Sequence, residues 1–577
     1  MRMLESHSLI MKSYETRKEI SPKIANELAL YPDLIKKLLF YRGIDTKEKA
    51  DKFFNPDYTK DLHDPFLMPN MDKAVERILK AIKDDEKVTI YSDYDADGIP
   101  GAVILSDFFR LINFKNFEVY IPHRNKEGFG LNIPALEKIA DSGTKLLITI
   151  DCGTADVAEV DFAVDELNMD VVITDHHKEN EKIPKAIIVN HKLKGSKYPE
   201  PILCGSGVVF KLVQALVSKG DFDLKDGQEK WLLDMVGIAT LSDMVPLVGE
   251  NRTLAHYGLM VLRKTTRKGL LKLFKKTGTN QRKIDEMDVG FTISPRINAA
   301  SRMGEPLAAY QMLSTDDESE AEELVKHLNE INDLRKGHVA AITKAIHKKL
   351  ENKNMDELSV IVAGNPDWQP SLLGLAANAL SETYQKPSFI WGRGEGKEIK
   401  GSCRSAKDIN THDILSEAKD VFVTYGGHDQ AGGFVVELDK VDFLEKALDD
   451  ACKKVTTEGK SEPVWIDSVL SIDEITENLF RSISKLAPFG MSNPQPIFLF
   501  KSTMIKSVEK FGKINNHLKL TCHSDKGVER QAIAFFSDQN SFTQKVSPGD
   551  RRDLVATIEE ESWGRRNSLR LRIVDIL

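Results

Sequence analysis

The sequence predicts an α/β protein: a doubly wound parallel sheet first, a long connecting helix, a second α/β unit and a C-terminal β-barrel. Three observations carry that reading. Apolar runs of strand length at 88–90, 117–121, 145–150 and 171–173 alternate with helix-length segments, the pattern of successive βα units. From Asp316 to Lys349 a charged stretch keeps Leu324, Leu328, Ile331, His338 and Ile342 on or near one face, as a single helix bridging two globular units does. Beyond Pro463 the pattern shortens to alternating runs at 516–521, 531–536, 554–558 and 569–574, which fits a small barrel of OB type.

Composition narrows the class. At 577 residues the chain calls for three or four domains, since one core seldom grows past about 250–300 residues. No apolar run reaches the ~18 residues of a membrane span, and the N-terminus lacks an apolar leader, so the expected compartment is the cytoplasm, with no membrane partner. Cys152, Cys204, Cys403, Cys452 and Cys522 are scattered and form no CxxC pair, which gives neither a disulfide framework nor a zinc site. The net charge of −8 excludes a protein that coats nucleic acid by bulk charge. Residues 501–577 nevertheless carry 14 Lys and Arg against 10 Asp and Glu, enough for a module that holds a polyanion, or for a solvated surface.

Taken in order, residues 1–70 read as a helical lead-in, with helical apolar spacing over 24–40 and a loop punctuated by Pro56, Pro65 and Pro69. Met71, Val75, Ile78, Leu79 and Ile82 fall on one helical face and feed the strand at 88–90. Asp93, Asp95 and Asp97 then leave the carboxyl end of that strand, the edge at which open α/β sheets bind ligands. Three convergent carboxylates repel one another unless a cation neutralises them, and such oxygen-rich clusters suit Mg²⁺ or Mn²⁺. A solvated acidic turn or a calcium loop are the alternatives for this motif alone, although the bidentate Glu of an EF-hand is missing after Gly98. The following strands deliver Asp151 and then Asp175, His176 and His177 at the same edge, a recurrence that favours a metal site. Asp243 ends a buried helical pattern over 231–241, either as a further ligand or as a plain cap.

At this point the residues carry a family resemblance. SDYDADG, DCG, TDHH and the later SD resemble the four successive motifs of the DHH phosphoesterases. RGIDTKEKADKFFNP, LHDPFLMPNMDKAVERI, IPHRNKEGFGLN, SPRINAASRMG, GSCRS, GGHDQAGGF and APFGMSNPQPIF follow in the order of one branch, the RecJ-type single-strand-specific exonucleases. The resemblance runs from about Leu38 to the C-terminus. It implies a two-metal phosphodiesterase that uses two divalent cations, Mn²⁺ preferred or Mg²⁺. By motif, Asp151 would bridge the ions, Asp97, His176 and Asp243 would complete one shell, and Asp95 with Asp93 would serve the other. His177 would lie just behind the ions or touch the scissile phosphate. Two positions depart from the pattern: Pro100 stands where relatives carry Thr or Ser, and Tyr91 where many carry a ligating His.

The same resemblance divides the chain into a lead-in (1–70), a DHH catalytic domain (71–315), a connecting helix (316–352), a DHHA1 domain (353–460) and an OB-fold nucleic-acid-binding domain (461–577). It implies that Arg296 and Arg302 line the strand path, and that Arg124, Arg302 and Arg404 form a pocket for a 5′ end together with Ser402, Gly427 and His428. Surface arginines and a plain Gly-Gly turn are the bland readings of these loops. Cys204-Gly205-Ser206-Gly207 opens a helix whose free N–H groups either meet a phosphate or simply begin the helix. On the barrel, Lys519, Trp563, Arg565, Arg566, Arg570 and Arg572 are candidate contacts to a single strand, half of them open to an ordinary surface or core role. The expected activity is 5′→3′ hydrolysis of single-stranded DNA to 5′-mononucleotides in repair and recombination, in a cleft too narrow for duplex. The expected partners are a single-strand-binding protein and a helicase, and the chain is expected to be a monomer. A DHH phosphodiesterase of short RNA or cyclic dinucleotides, and an inactive nucleic-acid-binding scaffold, are the alternatives.

Overall fold

The computed structural model describes residues 13–351, 353–355, 357–393, 398–406, 409–456, 463–512, 515–561 and 568–577. The chain divides into two compact units, one formed by 57–458 and the other by 1–56 together with 459–577.

The larger unit opens on a five-stranded sheet in which every pairing is parallel. Across the sheet the strands run Phe117–Tyr120, Val88–Ser92, Leu146–Ile150, Asp170–Thr174 and Ile187–Val189. In sheet order this is 2-1-3-4-5, so the chain changes direction between Val88–Ser92 and Leu146–Ile150. Ligands of doubly wound folds bind at that switch point. Alternate side chains explain the two layers. Val88, Ile90, Ile148 and Val172 face a core shared with the helices Met71–Lys83, Gly98–Leu111 and Gly205–Lys219. Tyr91, Leu147, Val171 and Ile173 face a second core shared with Ile133–Asp141 and Val157–Asp165. The expected strands are all present, and Ile187–Val189 adds a fifth.

Register sets the height of the acidic residues. Ser92 pairs with Ile150, Ile150 with Thr174, and Thr174 with Val189. The next residue on each strand therefore leaves at one level: Asp93 N–H donates to Ile150 O (3.0 Å), Asp151 to Thr174 O (2.9 Å) and Asp175 to Val189 O (3.2 Å).

Helix Glu318–Leu350 links this sheet to the second one. Asp317 caps it, accepting from Glu320 N at 2.7 Å. The second sheet is mixed, ordered Thr424–His428, Ala431–Val436, Ile399–Arg404, Ser388–Gly392 and Ile361–Asn365, with only the last pair parallel. Helix Pro370–Tyr384 packs on its strands and against the connecting helix.

The smaller unit contains a closed barrel. Phe498–Phe511 pairs with His517–His523, which pairs with Glu529–Ala534. Ser568–Ile576 then pairs with Arg551–Glu561, which returns to Phe498–Phe511. Only Glu529–Ala534 and Ser568–Ile576 are parallel among these five, giving the 1-2-3-5-4-1 order of an OB fold. The lead-in differs from expectation. Its apolar stretch forms two helices, Pro22–Glu27, which ends at its cap Leu28, and Asp33–Phe40, which starts after Pro32. Their Leu28, Ile35, Leu38 and Leu39, with Ala50 of Lys47–Phe54, share one core with Phe498, Phe500, Leu518, Leu520 and Leu554 of the barrel. Residues up to Pro56 are thus part of the barrel unit rather than a separate lead-in, while Asp57 onward belongs to the larger unit.

Candidate metal centre

Seven carboxylates and imidazoles meet at the switch point. Ligand atoms of Asp93, Asp95 and Asp151 lie within 4.8 Å of one another, and so do those of Asp97, His176 and Asp243. A third set, Asp151, His176 and His177, joins the two. Asp151 sits at the centre, its Oδ1 3.1 Å from His176 Nε2 and 3.9 Å from His177 Nδ1.

The main chain fixes each group. Asp95 Oδ1 accepts from Asp97 N (2.7 Å) and Gly98 N (3.1 Å), curling the acidic loop into helix Gly98–Leu111. Asn298 Oδ1 accepts from Ala96 N at 3.0 Å and holds the loop from outside. The carboxylate of Asp97 is chelated by the first N–H groups of helix Gly205–Lys219, from Gly205 to Oδ2 (2.6 Å) and from Ser206 to Oδ1 (2.8 Å). The glycine-rich helix start thus receives an internal carboxylate, and the reading of it as a phosphate cradle is corrected: these donors are already engaged. Gly205 is required there, since a Cβ would lie 2.7 Å from the Asp151 side chain. Asp151 itself has φ +61°, a left-handed backbone that Asp tolerates better than most residues.

Hydrogen bonds also settle the tautomers. The carbonyl of Leu203 can only accept, so His176 carries its proton on Nδ1, 2.8 Å away. Its Nε2 lone pair then points at Asp151 Oδ1. A lone pair and a carboxylate oxygen at that distance repel unless a proton or a cation lies between them. His177 donates from Nδ1 to Asp175 Oδ1 at 2.8 Å, leaving Nε2 outward on a half-exposed ring. The sequence places Asp175 at the metal edge with the two histidines but does not show that it orients His177. Its Oδ1 also accepts from the backbone of His176 and His177, and its Oδ2 from Thr154 N.

Electrostatics agree with a missing counter-charge. Burial, with Asp95 as neighbour, raises Asp93 well above the carboxylate range. Burial and the charges of Asp97, Asp95 and Asp93 do the same to Asp151. Burial and Asp97 push Asp243 up to about 9. Asp93 Oδ1 and Asp151 Oδ1 are buried with no hydrogen-bond partner among the described residues. Oxygen donors with one imidazole nitrogen, short of positive charge, fit Mn²⁺ or Mg²⁺. The two departures from the family pattern leave this set intact. Tyr91 is buried and donates from its hydroxyl to Gly130 O at 2.8 Å, away from the carboxylates. Pro100 falls in the first turn of helix Gly98–Leu111, where a missing N–H costs no helical bond.

Beside this centre stands a group of guanidiniums. Arg302 donates from Nη1 to Ser371 O at 2.6 Å, linking helix Ser294–Arg302 to helix Pro370–Tyr384. Burial and the charges of Arg124, Arg404 and Arg335 hold its pKa down to about 9. Arg124 lies 4.8 Å over the Tyr94 ring, and Arg404 packs so closely on Gly374 that a Cβ there would sit 2.9 Å from Nη2. Ser402 shares a strand face with Arg404, two residues before it. Arg296 is turned elsewhere, to Asn329 Oδ1 (2.8 Å) and Thr292 O (2.6 Å). Gly427 and His428 lie on the exposed edge strand Thr424–His428, with Gly427 at φ +149° and closely packed on Gly432.

On the barrel, Lys519 is paired with Glu509 at 2.7 Å and Arg570 with Glu559 at 2.7 Å. Trp563, Arg565 and Arg566 lie outside the described residues. Sequence reading missed an aromatic group on the same barrel. The His517 ring lies 5.0 Å from Phe511, 5.3 Å from Phe535 and 4.8 Å from Phe536, and Arg572 stands 5.2 Å over Phe535. Phe536 is 81% exposed at φ +52°, its N–H held by His517 Nδ1 at 2.9 Å. The doublet Phe535-Phe536 after an alternating strand was the signal available for it.

Fold and site together define a DHH phosphoesterase. Residues 87–240 match the DHH family, N-terminal domain; 357–454 match the DHHA1 domain; and 466–575 match the RecJ OB domain. The single-stranded-DNA-specific exonuclease RecJ of Bacillus subtilis (strain 168) is 35% identical over 557 residues, 96% of this chain and 69% of that protein. The chain belongs to the RecJ family. A crystal structure of RecJ in complex with Mn²⁺ from Thermus thermophilus superposes with a TM-score of 0.81 at 24% identity, covering 98% of this chain and 79% of the other, and so shares the fold. Another, of exonuclease RecJ bound to manganese, is 28% identical with a TM-score of 0.58, over 67% of this chain and 96% of that one.

Proposed function

We propose that this chain is a metal-dependent exonuclease specific for single-stranded DNA, hydrolysing phosphodiester bonds from the 5′ end and releasing 5′-mononucleotides, in DNA repair and recombination. The observation that carries the reading is Asp151, whose carboxylate stands between a set with Asp93 and Asp95 and a set with Asp97, His176 and Asp243. The first set would hold one divalent cation, Mn²⁺ or Mg²⁺, the second the other, with Asp151 common to both. Such ions supply the charge that activates water for in-line attack on phosphorus and stabilises the leaving oxygen.

The chain's own groups orient the rest. Asp175 holds the His177 ring by Nδ1, and in the imidazolium form Nε2 can donate to a phosphate oxygen. Burial pulls the His177 pKa down, but the hydrogen bond and charge of Asp175 outweigh it, so the ring is held more basic than usual. Arg124, Arg302 and Arg404 would grip the terminal 5′ phosphate, since Arg124 and Arg404 hold down the Arg302 pKa, Arg124 holds down that of Arg404, and an anion among them relieves that repulsion. Ser402, Gly427 and His428 would complete that pocket. The aromatic group around His517, with Arg572, suits stacked bases of a single strand and supports DNA over a small dinucleotide substrate. A DNA substrate and five free, buried cysteines fit the cytoplasm. A single-strand-binding protein and a helicase would bring the substrate to a monomeric enzyme.

The test is single-stranded DNA labelled at either end, incubated with Mn²⁺ and the protein or its Asp243→Ala variant. Early mononucleotide from the 5′ label, absent in the variant, is expected. Intact DNA with cleaved dinucleotides would favour the small-substrate phosphodiesterase, and binding without cleavage of either would favour a scaffold. Arg404→Ala is expected to lower use of 5′-phosphorylated ends about tenfold or more, at ~1.4 kcal/mol per factor of ten. Unchanged use of those ends in a competition assay would remove Arg404 from the pocket.

A further inference from the structure

Behind the two tandem histidines lies a pair of residues at the carboxyl end of the fifth strand, Ile187–Val189. Asn190 Nδ2 donates to the His177 carbonyl at 2.8 Å and lies 3.2 Å from Thr154 Oγ1. His191 Nε2 is 3.1 Å from the backbone N of Leu203. That N–H can only donate, so His191 is the neutral tautomer with its proton on Nδ1. Leu203 in turn accepts from His176 Nδ1 through its carbonyl. Two residues on, Gly205 and Ser206 chelate Asp97. The tetrad 203–206 therefore orients both Asp97 and His176; His191 accepts from the N–H of its first residue, and Asn251 Nδ2 donates to the Ile202 carbonyl of the same peptide.

We propose that His191 is a positioning residue for the metal centre: by fixing the Leu203 peptide it keeps His176 in the tautomer whose Nε2 faces the ion. The inference rests on the reading of His176 as a ligand. The ring is 4% exposed, and its Nδ1 has no hydrogen-bond partner among the described residues. A buried donor left unpaired is costly, so an apolar side chain would pack there more favourably were the Leu203 bond not needed. Burial and the charge of Lys192 push the imidazole down to about 3, which keeps Nε2 free to accept at every pH at which the fold is expected to work. Partners one step behind a metal ligand set its orientation, and their loss typically changes affinity by roughly 10- to 100-fold.

Titrating Mn²⁺ against metal-free protein, with free Mn²⁺ read by electron paramagnetic resonance, tests this without recourse to turnover. His191→Leu is expected to bind Mn²⁺ about tenfold more weakly. His191→Gln, whose amide oxygen takes the place of Nε2 as acceptor, is expected to recover most of that loss. Thermal unfolding in metal-free buffer reports whether each variant is folded. Equal Mn²⁺ affinity in wild type and a folded His191→Leu, or no recovery in a folded His191→Gln, overturns the proposal. If His191→Leu does not fold, ¹⁵N spectra of the wild-type histidines decide: Nδ1–H on both His176 and His191 supports it, and Nε2–H on either overturns it. A wild-type protein that binds no Mn²⁺ overturns the metal reading itself, a result distinct from a variant that binds as well as wild type.

Discussion

Asp151 shows how a single side chain sets opposite demands on stability and chemistry. Its pKa is raised by burial and by Asp97, Asp95 and Asp93, so without metal the folded state keeps that proton to higher pH than the unfolded chain does. Folding is therefore penalised as pH rises above the unfolded carboxylate range, and the penalty disappears below it. Asp151→Asn keeps the left-handed backbone and removes the charge. It is expected to raise the melting temperature of metal-free protein at pH 8 but not at pH 4, by calorimetry in EDTA. The same variant loses a ligand common to both sets, and charge stabilisation of several kcal/mol corresponds to about a thousandfold slower hydrolysis, or more. Asp93, Asp95, Asp97, Asp151, His176 and Asp243 were legible in the sequence because carboxylates and imidazoles repeatedly follow apolar runs. The roles of Asp175, Asn190 and His191 were not. They touch main-chain groups, which leave no signature at a distance in sequence.

The start of helix Gly205–Lys219 is the element on which the centre depends. Its first two N–H groups hold Asp97, so the helix cannot withdraw, and its first residue lies flat against Asp151. Gly205→Ala must displace either one. The expected result is a loss of about 1–3 kcal/mol in stability, as for other overpacked sites, with Mn²⁺-dependent hydrolysis reduced far more than unfolding accounts for. Chemical denaturation and the end-label assay on one preparation separate the two effects; full activity would mean that Asp151 has room to move. From the sequence this helix start was legible as a helix entry and as an anion site, but not which anion it takes. The fifth strand escaped notice because three residues, Ile187–Val189, carry too little alternation to read. The strands at 88–92 and 146–150 were plain because both faces are covered, which makes them apolar throughout.

At the scale of the molecule, the catalytic unit and the barrel unit make separable contributions to the proposed activity. Phe536→Ala removes a stacking surface worth ~1–3 kcal/mol per base, and is expected to weaken single-strand binding about tenfold. Hydrolysis of a dinucleotide should be unchanged, and fluorescence anisotropy beside a dinucleotide assay checks both. The barrel itself was legible from its short alternating runs; its partner helices were not, because the two halves of that core lie more than 400 residues apart. A chain ended at residue 458 leaves Leu28, Ile35, Leu38 and Leu39 without the strands that bury them. Its soluble yield is expected to fall sharply, and to recover when residues 1–56 are removed as well. During synthesis those four residues leave the ribosome more than 400 residues before the strands that cover them. Over that interval the nascent chain carries a greasy patch with nothing to close over it, and a segment made early is among the later ones to find its place.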